Sequence, residues 1–166
     1  MQLVSVAAIA ENRVIGDDGT VPWPDIPEDV RQYRERVANA PVILGRRTFE
    51  AMRGDLPGSR QIVVSRSVET VSDPSAVVAA DAENALAYAR EFAPDDVVYV
   101  LGGGAIYDLF LPFVDRMVLS HVHGRYEGDT RYPAWNDTEW EIVSETPYDG
   151  FTLREWVRTD SARTER

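Results

Sequence analysis

Short apolar runs alternate with amphipathic stretches along most of the chain. The apolar runs predict eight β-strands: Leu3–Ala10, Val42–Leu44, Gln61–Ser65, Val77–Ala79, Val97–Leu101, Val114–Val122, Trp140–Ser144 and Phe151–Val157. The amphipathic stretches predict four helices: Pro27–Ala38, Arg47–Met52, Asp81–Phe92 and Gly104–Phe110. Several strands are continuous Val, Ile and Leu runs, which is typical of strands covered on both faces. The alternation therefore predicts an α/β sandwich, a mostly parallel sheet with helices on both faces.

The end of the chain departs from this alternation. No helix separates Trp140–Ser144 from Phe151–Val157, so we expect these strands to form an antiparallel hairpin at the edge of the sheet. The C-terminal strand of this hairpin is expected to be the antiparallel edge strand. Two helix starts are marked, because Pro27 suits a first helical turn and Asp81 suits an N-cap. In sheets of this class ligands bind at the carboxyl ends of strands, so residues that follow strands are the first candidates for a binding site.

The charge of the chain excludes several function classes. There are 28 Asp and Glu residues against 17 basic residues, and the net charge of −11 argues against nucleic acid and anionic membranes as partners. All 17 basic residues are Arg, so lysine Schiff-base and P-loop chemistry are excluded, and the absence of Cys excludes disulfides and thiolate catalysis. An acidic chain without Lys is typical of halophiles that accumulate salt. The alternative is a GC-rich genome that encodes basic residues as Arg.

The length and the lack of a membrane signal indicate one cytoplasmic domain, residues 1–166. No segment reaches the roughly 18 apolar residues that a membrane span needs. The run Leu3–Ala10 ends like a signal-peptidase site, but no basic residue precedes it, so a buried strand is the better interpretation. We expect residues 160–166 to form a solvated tail.

Three strand ends carry groups that suit phosphate. The run Gly102–Gly104 follows one strand and opens a helix, where backbone N–H groups can approach a pyrophosphate. The segment Gly45–Thr48 offers two guanidinium groups and a hydroxyl in the same kind of turn, and Ser65–Arg66 ends the next strand. Together these segments predict a dinucleotide site. Taken singly, each could instead be a tight turn or a set of surface ion pairs.

One carboxylate is a candidate for ligand recognition. The Pro- and Trp-rich loop Pro22–Pro27 leads into a helix whose first turn carries Glu28 and Asp29. Asp29, followed by Val30 and Tyr33, could face an apolar pocket and bind a heterocycle that bears N–H donors. The alternative for both acids is complementation of the helix dipole, which we favour for Glu28.

Two histidines raise the question of a metal site. His121 and His123 alternate along a predicted strand and so share a face. No third ligand is indicated by the sequence, so we expect histidines at the solvent or at the rim of the core, and no bound metal.

The order and spacing of these segments resemble the dihydrofolate reductase family. The matching segments are Val6–Ala8, Asn12–Gly16, Pro22–Trp23, Pro27–Asp29, Pro41–Arg46, Thr48–Glu50, Leu56–Gly58, Val64–Arg66, Gly102–Gly104, Ile106–Tyr107 and Tyr126–Thr130. They cover nearly the whole chain, to about Arg158, and the Lys-free composition resembles the haloarchaeal form. The resemblance implies an eight-stranded sheet, with seven parallel strands and an antiparallel last strand, and four helices. It also implies that NADPH gives a hydride to C6 of dihydrofolate while solvent protonates N5.

The resemblance also implies roles for individual residues. Asp29 matches the family's single active-site carboxylate, with Trp23 and Ser120 as its catalytic companions, Ser120 supporting the carboxylate. The implied substrate contacts are Val6, Ala8, Val30, Tyr33, Arg60 and Leu101. The implied NADPH contacts are Ala8, Ile15, Gly16, Gly45, Arg46, Arg47, Thr48, Ser65, Arg66, Gly102, Gly103, Gly104, Ala105, Ile106 and Tyr107. Residues 12–25 are implied to form a mobile loop over the nicotinamide.

Two positions depart from the family pattern. Ser59 stands where the family usually has an Arg that binds the glutamate tail of folate, so either the next residue, Arg60, substitutes in part or the tail is bound more weakly. Ala105 stands where some members carry a phosphate-binding Arg.

Two other functions remain open at this point. One is a riboflavin-pathway reductase of the same fold that acts on a ribosylamino-pyrimidine phosphate, and the other is a non-catalytic nucleotide-binding protein. For the main hypothesis we expect a monomer whose partners are dihydrofolate and NADPH.

Overall fold

The computed structural model describes residues 1–159, so the tail predicted at 160–166 lies outside the described residues. The strands are β1 (Gln2–Ile9), β2 (Val14–Gly16), β3 (Pro41–Gly45), β4 (Arg60–Val64), β5 (Ala76–Ala79), β6 (Val97–Val100), β7 (Arg116–Val122), β8 (Thr130–Arg131), β9 (Trp140–Pro147) and β10 (Phe151–Arg158). The helices are α1 (Pro27–Val37), α2 (Arg46–Ala51), α3 (Ala82–Phe92) and α4 (Gly104–Phe110), which a 3-10 turn, Leu111–Phe113, follows. No helix in the described part of the chain is long and apolar enough to cross a membrane.

Eight strands form the main sheet in the order β5-β4-β3-β6-β1-β7-β10-β9. Neighbouring strands from β5 to β7 are parallel, whereas β10 is antiparallel to both β7 and β9. Seven strands of this sheet therefore point one way, and β10 points the other. This confirms the mostly parallel sheet with an antiparallel C-terminal strand.

The predicted edge position of that antiparallel strand is wrong. β10 lies second from the edge, and β9 forms the edge itself. Every residue of β9 after Trp140 is exposed, whereas Phe151 and Leu153 of β10 are buried. The strand with more apolar contacts therefore pairs with β7. The more exposed strand takes the edge, where its two charged residues, Glu141 and Glu145, oppose pairing with other chains.

The sequence pattern gives no indication of a second, two-stranded sheet. β2 pairs antiparallel with β8. Strands of three and two residues are too short to show alternation, so they leave no periodic signal. The pair fastens the loop after β1 to the segment that follows β7.

Alternate side chains of the strands point into two separate cores. Leu3 and Ile9 of β1 belong to the core that contains residues of α3 and α4. Val4 and Val6 belong to the core that contains residues of α1 and α2. Helices therefore cover both faces of the sheet, as the continuous apolar strands predicted.

Helix α1 lies over an opening in the structure. Val37 is its one buried residue, and Val30 is 56% exposed. By contrast, α3 buries three residues and begins at the predicted N-cap, where Asp81 Oδ1 accepts a hydrogen bond from Asn84 N–H at 2.8 Å. The space beneath α1 is therefore where a ligand site is to be expected.

The surface carries far more carboxylates than cations. The seven ion pairs between described residues all use Arg, and they engage five carboxylates: Glu50, Asp55, Asp73, Glu145 and Glu155. With 28 acidic residues in the chain, most of the described carboxylates form no ion pair and repel one another.

We expect the protein to become more stable between dilute buffer and molar KCl, because salt at that concentration shortens the screening length to about 3 Å. A gain of about 1 kcal/mol would raise the Tm by roughly 2–4 °C. Calorimetric scans in KCl and in sucrose of equal osmolality separate charge screening from solute exclusion. A Tm that falls in KCl, or that rises equally in sucrose, contradicts the halophilic interpretation.

Candidate active site

A cavity of about 270 Å³ opens beneath α1, at the carboxyl ends of the central strands. It is lined by Val6, Ala7, Ala8, Ile15, Val21, Asp29, Val30, Gln32, Tyr33, Met52, Leu101, Gly103, Tyr107 and Ser120. Asp29 is the one acidic residue in this lining, and there is no basic one. The cavity is therefore an apolar slot with a single carboxylate.

Two donors hold the carboxylate of Asp29 in place. Ser120 Oγ donates to Asp29 Oδ1 at 2.5 Å, and Gln32 Nε2 donates to the same oxygen at 2.9 Å. Ser120 is delivered by β7, where it pairs in register with Ala8. Asp29 and Gln32 share one face of α1 because they are three residues apart. Glu28 is exposed and lines a different cavity, so the structure brings Asp29, and not Glu28, to this slot.

A larger cleft of about 670 Å³ adjoins the first cavity. It is lined by Ile15, Gly16, Asp18, Gly19, Thr20, Val21, Gly45, Arg46, Arg47, Thr48, Val64, Gly103, Gly104, Ala105, Ile106, Asp129 and Thr130. Three of these residues, Ile15, Val21 and Gly103, also line the first cavity. Ligands bound in the two spaces would therefore meet at this shared wall.

The glycine run after β6 connects the two cavities. Gly102 has a φ of +105°, and a Cβ there would lie 2.8 Å from the ring of Tyr107. Its carbonyl accepts a hydrogen bond from Gly45 N–H at 2.8 Å, and its peptide bond to Gly103 is cis. The Tyr107 hydroxyl donates to the carbonyl of Val6 at 2.6 Å. A side chain at position 102 would disturb these contacts between β1, β3 and α4.

Two arginine side chains and two serine hydroxyls lie together beside the cleft. Arg46 and Arg47, which line the cleft, also line a space of about 580 Å³ together with Glu50, Ser65 and Ser67. Arg46 Nη1 donates to Ser67 Oγ at 3.2 Å, and Arg46 Nε lies 3.8 Å from a carboxylate oxygen of Glu50. Two guanidinium groups with neighbouring hydroxyls suit a phosphate group.

A family model described as dihydrofolate reductase matches residues 2–154. The chain belongs to the dihydrofolate reductase family. Dihydrofolate reductase 1 of Haloarcula marismortui is 45% identical over 170 residues, which cover 93% of this chain and 90% of that relative. A dihydrofolate reductase of Haloferax volcanii is 34% identical and covers 100% of this chain and 88% of its own length. The chain is also similar to dihydrofolate reductase from Enterococcus faecalis complexed with NADP(H) and RAB-propyl, with a TM-score of 0.83 and 28% identity over 96% of this chain and 97% of that one.

These matches confirm the family and the fold class that the sequence segments indicated. The protein is therefore an enzyme, and its reaction class is the reduction of dihydrofolate. The similarity to two haloarchaeal relatives agrees with the resemblance in composition.

Most of the predicted dihydrofolate reductase contacts line the two cavities. The first cavity contains the predicted substrate contacts Val6, Ala8, Val30, Tyr33 and Leu101, and also Tyr107. The cleft contains the predicted cofactor contacts Ile15, Gly16, Gly45, Arg46, Arg47, Thr48, Gly103, Gly104, Ala105 and Ile106. Ser65 lines the space beside Arg46, and Gly102 supports the cleft through its bond to Gly45. Their individual roles stay predictions.

Arg60 does not reach the substrate cavity. Its guanidinium carbon lies 3.8 Å from the centre of the Phe92 ring on α3, so Arg60 points to the face of the sheet opposite α1. It also begins β4, whereas the cavity lies at the carboxyl ends of the strands. The idea that Arg60 substitutes for the Arg missing at Ser59 is therefore wrong, because strand alternation turns its side chain away.

Two further predicted residues lie outside the linings of the slot and the cleft. Trp23 is buried with its ring edge-on to Tyr126 at 5.8 Å, and it lines the separate cavity that Glu28 also lines. Arg66 is exposed one residue beyond Ser65 and lines none of the spaces described above.

The sequence analysis missed several lining residues. Gln32 could have been found from its spacing to Asp29, since residues three apart on a helix share a face. Met52 and Val21 carry no sequence signal, because Met52 follows the last residue of α2 and Val21 lies in the loop before α1.

A backbone N–H group of the loop over the shared wall, residues 18–21, is hydrogen-bonded to the segment before β8. Asp18 N–H donates to Asp129 Oδ2 at 3.0 Å, and this bond lowers the pKa of Asp129. β2 is paired with β8 just beyond it. The predicted mobility of residues 12–25 stays a prediction, but the structure places residues 18–21 of this loop along the cleft.

The two histidines have separate surroundings. Trp156 Nε1 donates to His121 Nε2 at 3.3 Å, and burial lowers the pKa of His121 to about 4, with a smaller contribution from Arg154. His123 is exposed beyond the end of β7. Residues 1–159 contain no group of three or more side chains placed to hold a metal ion.

We expect His121 to make the fold acid-sensitive. Between pH 6.5, the ordinary pKa of His, and about pH 4, the unfolded chain binds a proton that the folded protein does not, so stability falls as the pH is lowered through this range. His121→Gln keeps an acceptor for Trp156 and should reduce this loss by about 1–2 kcal/mol, allowing for the partial exposure of the ring. Urea unfolding at several pH values measures this loss of stability in each protein. His123→Gln is the matched control, and an equal change in both variants contradicts the assignment.

Proposed function

We propose that this enzyme reduces 7,8-dihydrofolate to 5,6,7,8-tetrahydrofolate, with NADPH as its cofactor. One observation carries the proposal. A single carboxylate, Asp29, is fixed by two donors in an apolar slot that shares a wall with a cleft lined by Arg46 and Arg47. The slot suits a flat heterocycle with N–H donors, and the cleft suits a phosphate-bearing cofactor.

Asp29 orients the substrate. As the carboxylate of the slot, it takes hydrogen bonds from N3 and from the 2-amino group of the pterin, which sets the tautomer of the ring. The apolar walls that Val6, Val30 and Leu101 provide exclude water and hold the ring in one plane. The enzyme thereby presents C6 and N5 of the pterin to the shared wall.

The cleft fits NADPH by the chemistry of its lining. Arg46, Arg47 and Ser65 supply donors for the 2′-phosphate. The N-cap residues of α2 and α4 are Gly45 and Gly103, which have no side chain to cap the helix, so the first N–H groups of both helices have no side-chain acceptor and can serve a pyrophosphate. When bound, NADPH supplies the hydride that C6 of the substrate receives.

The proton for N5 comes from solvent. Burial raises the pKa of Tyr33 to about 12 and that of Tyr107 well above its usual value, so neither hydroxyl is an effective acid at neutral pH. Asp29 is engaged at the opposite edge of the pterin. Val21, at the shared wall, is 49% exposed and marks the side from which water can approach.

The absorbance of NADPH, followed with dihydrofolate as substrate in a series of KCl concentrations, tests the proposal. We expect dihydrofolate-dependent oxidation of NADPH that methotrexate blocks. If NADPH binds but no turnover occurs at any salt concentration, the riboflavin-pathway reductase or the non-catalytic binding protein takes its place. The ribosylamino-pyrimidine phosphate then distinguishes these two. The cytoplasmic location and the monomeric state remain predictions.

A further inference from the structure

The side-chain amide of Gln32 completes the substrate slot. Gln32 follows Asp29 by three residues on α1 and lines the same cavity. Its Nε2 lies 2.9 Å from Asp29 Oδ1 and 3.3 Å from Ser120 Oγ. Because Ser120 also donates to Oδ1, that oxygen accepts two hydrogen bonds from the protein. Oδ2 accepts none among the hydrogen bonds of the described residues and is the open oxygen of the carboxylate.

The other end of the same amide is unpaired. Gln32 Oε1 is buried and has no hydrogen-bond partner in the described part of the chain. Buried acceptors without a partner are uncommon in folded proteins. Turning the amide over would not solve this, because Oε1 would then face the carboxylate of Asp29 and lose the bond that Nε2 makes. The bond to Asp29 therefore fixes the orientation of the Gln32 amide and leaves its oxygen, Oε1, without a donor.

The pterin has more N–H donors at this edge than Asp29 can accept, so Gln32 Oε1 has a donor available. The pterin edge that Asp29 receives carries three N–H hydrogens, one on N3 and two on the 2-amino group. Oδ1 of Asp29 is already occupied by Ser120 and Gln32, so the carboxylate is short of acceptors for all three. We propose that Gln32 is a specificity-determining residue, whose Nε2 positions Asp29 and whose Oε1 accepts a hydrogen from the substrate's 2-amino group. This inference rests on the proposed function, which names the pterin.

Gln32→Met tests the acceptor role, because it keeps the length of the side chain and removes both polar atoms. The probes are a pterin with a 2-amino group and an analogue with a 2-methyl group, and their Kd values are measured by fluorescence titration. We expect the variant to bind the 2-amino pterin about tenfold more weakly and the 2-methyl analogue less than about twofold more weakly. Gln2→Met, at an exposed position on β1, is the matched control and should change neither value.

Gln32→Glu tests the positioning role. It keeps an acceptor but replaces the donor to Asp29 by a second carboxylate, and two neighbouring carboxylates repel each other. We expect kcat at neutral pH to fall and the acidic limb of the pH–rate profile to move to higher pH. A residue with a purely structural role would leave the profile where it is.

The outcomes separate this inference from the proposed function. Equal weakening of both ligands in Gln32→Met, or none, overturns the acceptor role, and an unshifted pH profile in Gln32→Glu overturns the positioning role. Both results leave the proposed function intact if the unaltered enzyme turns over dihydrofolate. NADPH binding and thermal melting of each variant show that the fold is preserved.

Discussion

Replacing Asp29 by Asn is expected to lower kcat/KM for dihydrofolate about a thousandfold, which corresponds to about 4 kcal/mol of transition-state stabilisation. The exchange preserves the size of the side chain, and an amide oxygen at the Oδ1 position can still accept from Ser120 and Gln32. The other position becomes an NH₂ group, which cannot accept a hydrogen bond. That group then faces the N–H donors of the pterin in a slot with apolar walls, so donors oppose donors.

The neighbouring acid provides a matched control for this prediction. Glu28 lies in the same turn of α1, is exposed, and lines a different cavity, so Glu28→Gln should change kcat/KM by less than about twofold. Steady-state kinetics give the rates, and the Kd for NADPH shows whether the adjoining cleft is intact. Near-normal activity of Asp29→Asn, or a large loss in Glu28→Gln, would remove Asp29 from the mechanism.

The order of strands shows where the sequence pattern stops being informative about the fold. Each apolar run could be predicted as a strand, because burial on both faces requires an unbroken apolar stretch. The pattern also indicated a hairpin at the C-terminus but placed its last strand at the edge of the sheet. The exposed residues of β9, against Phe151 and Leu153 in β10, decide the order, and this difference becomes clear only when pairing with β7 is known.

Some residues of the substrate slot could also be predicted from the sequence, and others could not. Asp29 could be predicted because it matches the active-site carboxylate of the family, and because Val30 and Tyr33 follow it on the helix. Gln32 was missed because a polar residue on a helix is usually solvated. Its spacing to Asp29 indicates a shared face of α1, and its distances to Asp29 and Ser120 show that it belongs to the slot. Arg60 was placed in the site by its nearness to Ser59 in the sequence, although neighbouring residues of a strand point to opposite faces.

The shared wall joins the substrate slot and the cofactor cleft into one site. Neither cavity is closed alone, since Ile15, Val21 and Gly103 belong to both. The wall depends on the loop after β1, which β8 and Asp129 fasten, and on the glycine run after β6. A change in that run should therefore affect stability and both ligands together.

Replacing Gly102 by Ala is expected to destabilise the protein by about 3 kcal/mol, from the positive φ and from overpacking. Its φ of +105° is unfavourable for any residue with a Cβ, and that Cβ would lie 2.8 Å from the ring of Tyr107. The ring cannot easily move, because its hydroxyl is buried and donates to the carbonyl of Val6. The Tm should fall by roughly 10 °C, and NADPH should bind more weakly, since the Gly102 carbonyl also holds Gly45 N–H.

Gly150→Ala separates the two causes of this loss. Gly150 also has a positive φ, +90°, but nothing lies within 4 Å of a Cβ built there. This control should therefore show the backbone cost alone, about 1–2 kcal/mol, with unchanged NADPH affinity. Thermal unfolding and fluorescence titration measure both variants. Equal losses of stability in the two would mean that Tyr107 adjusts without cost, and the glycine run would then owe its place to backbone conformation rather than to close packing against Tyr107.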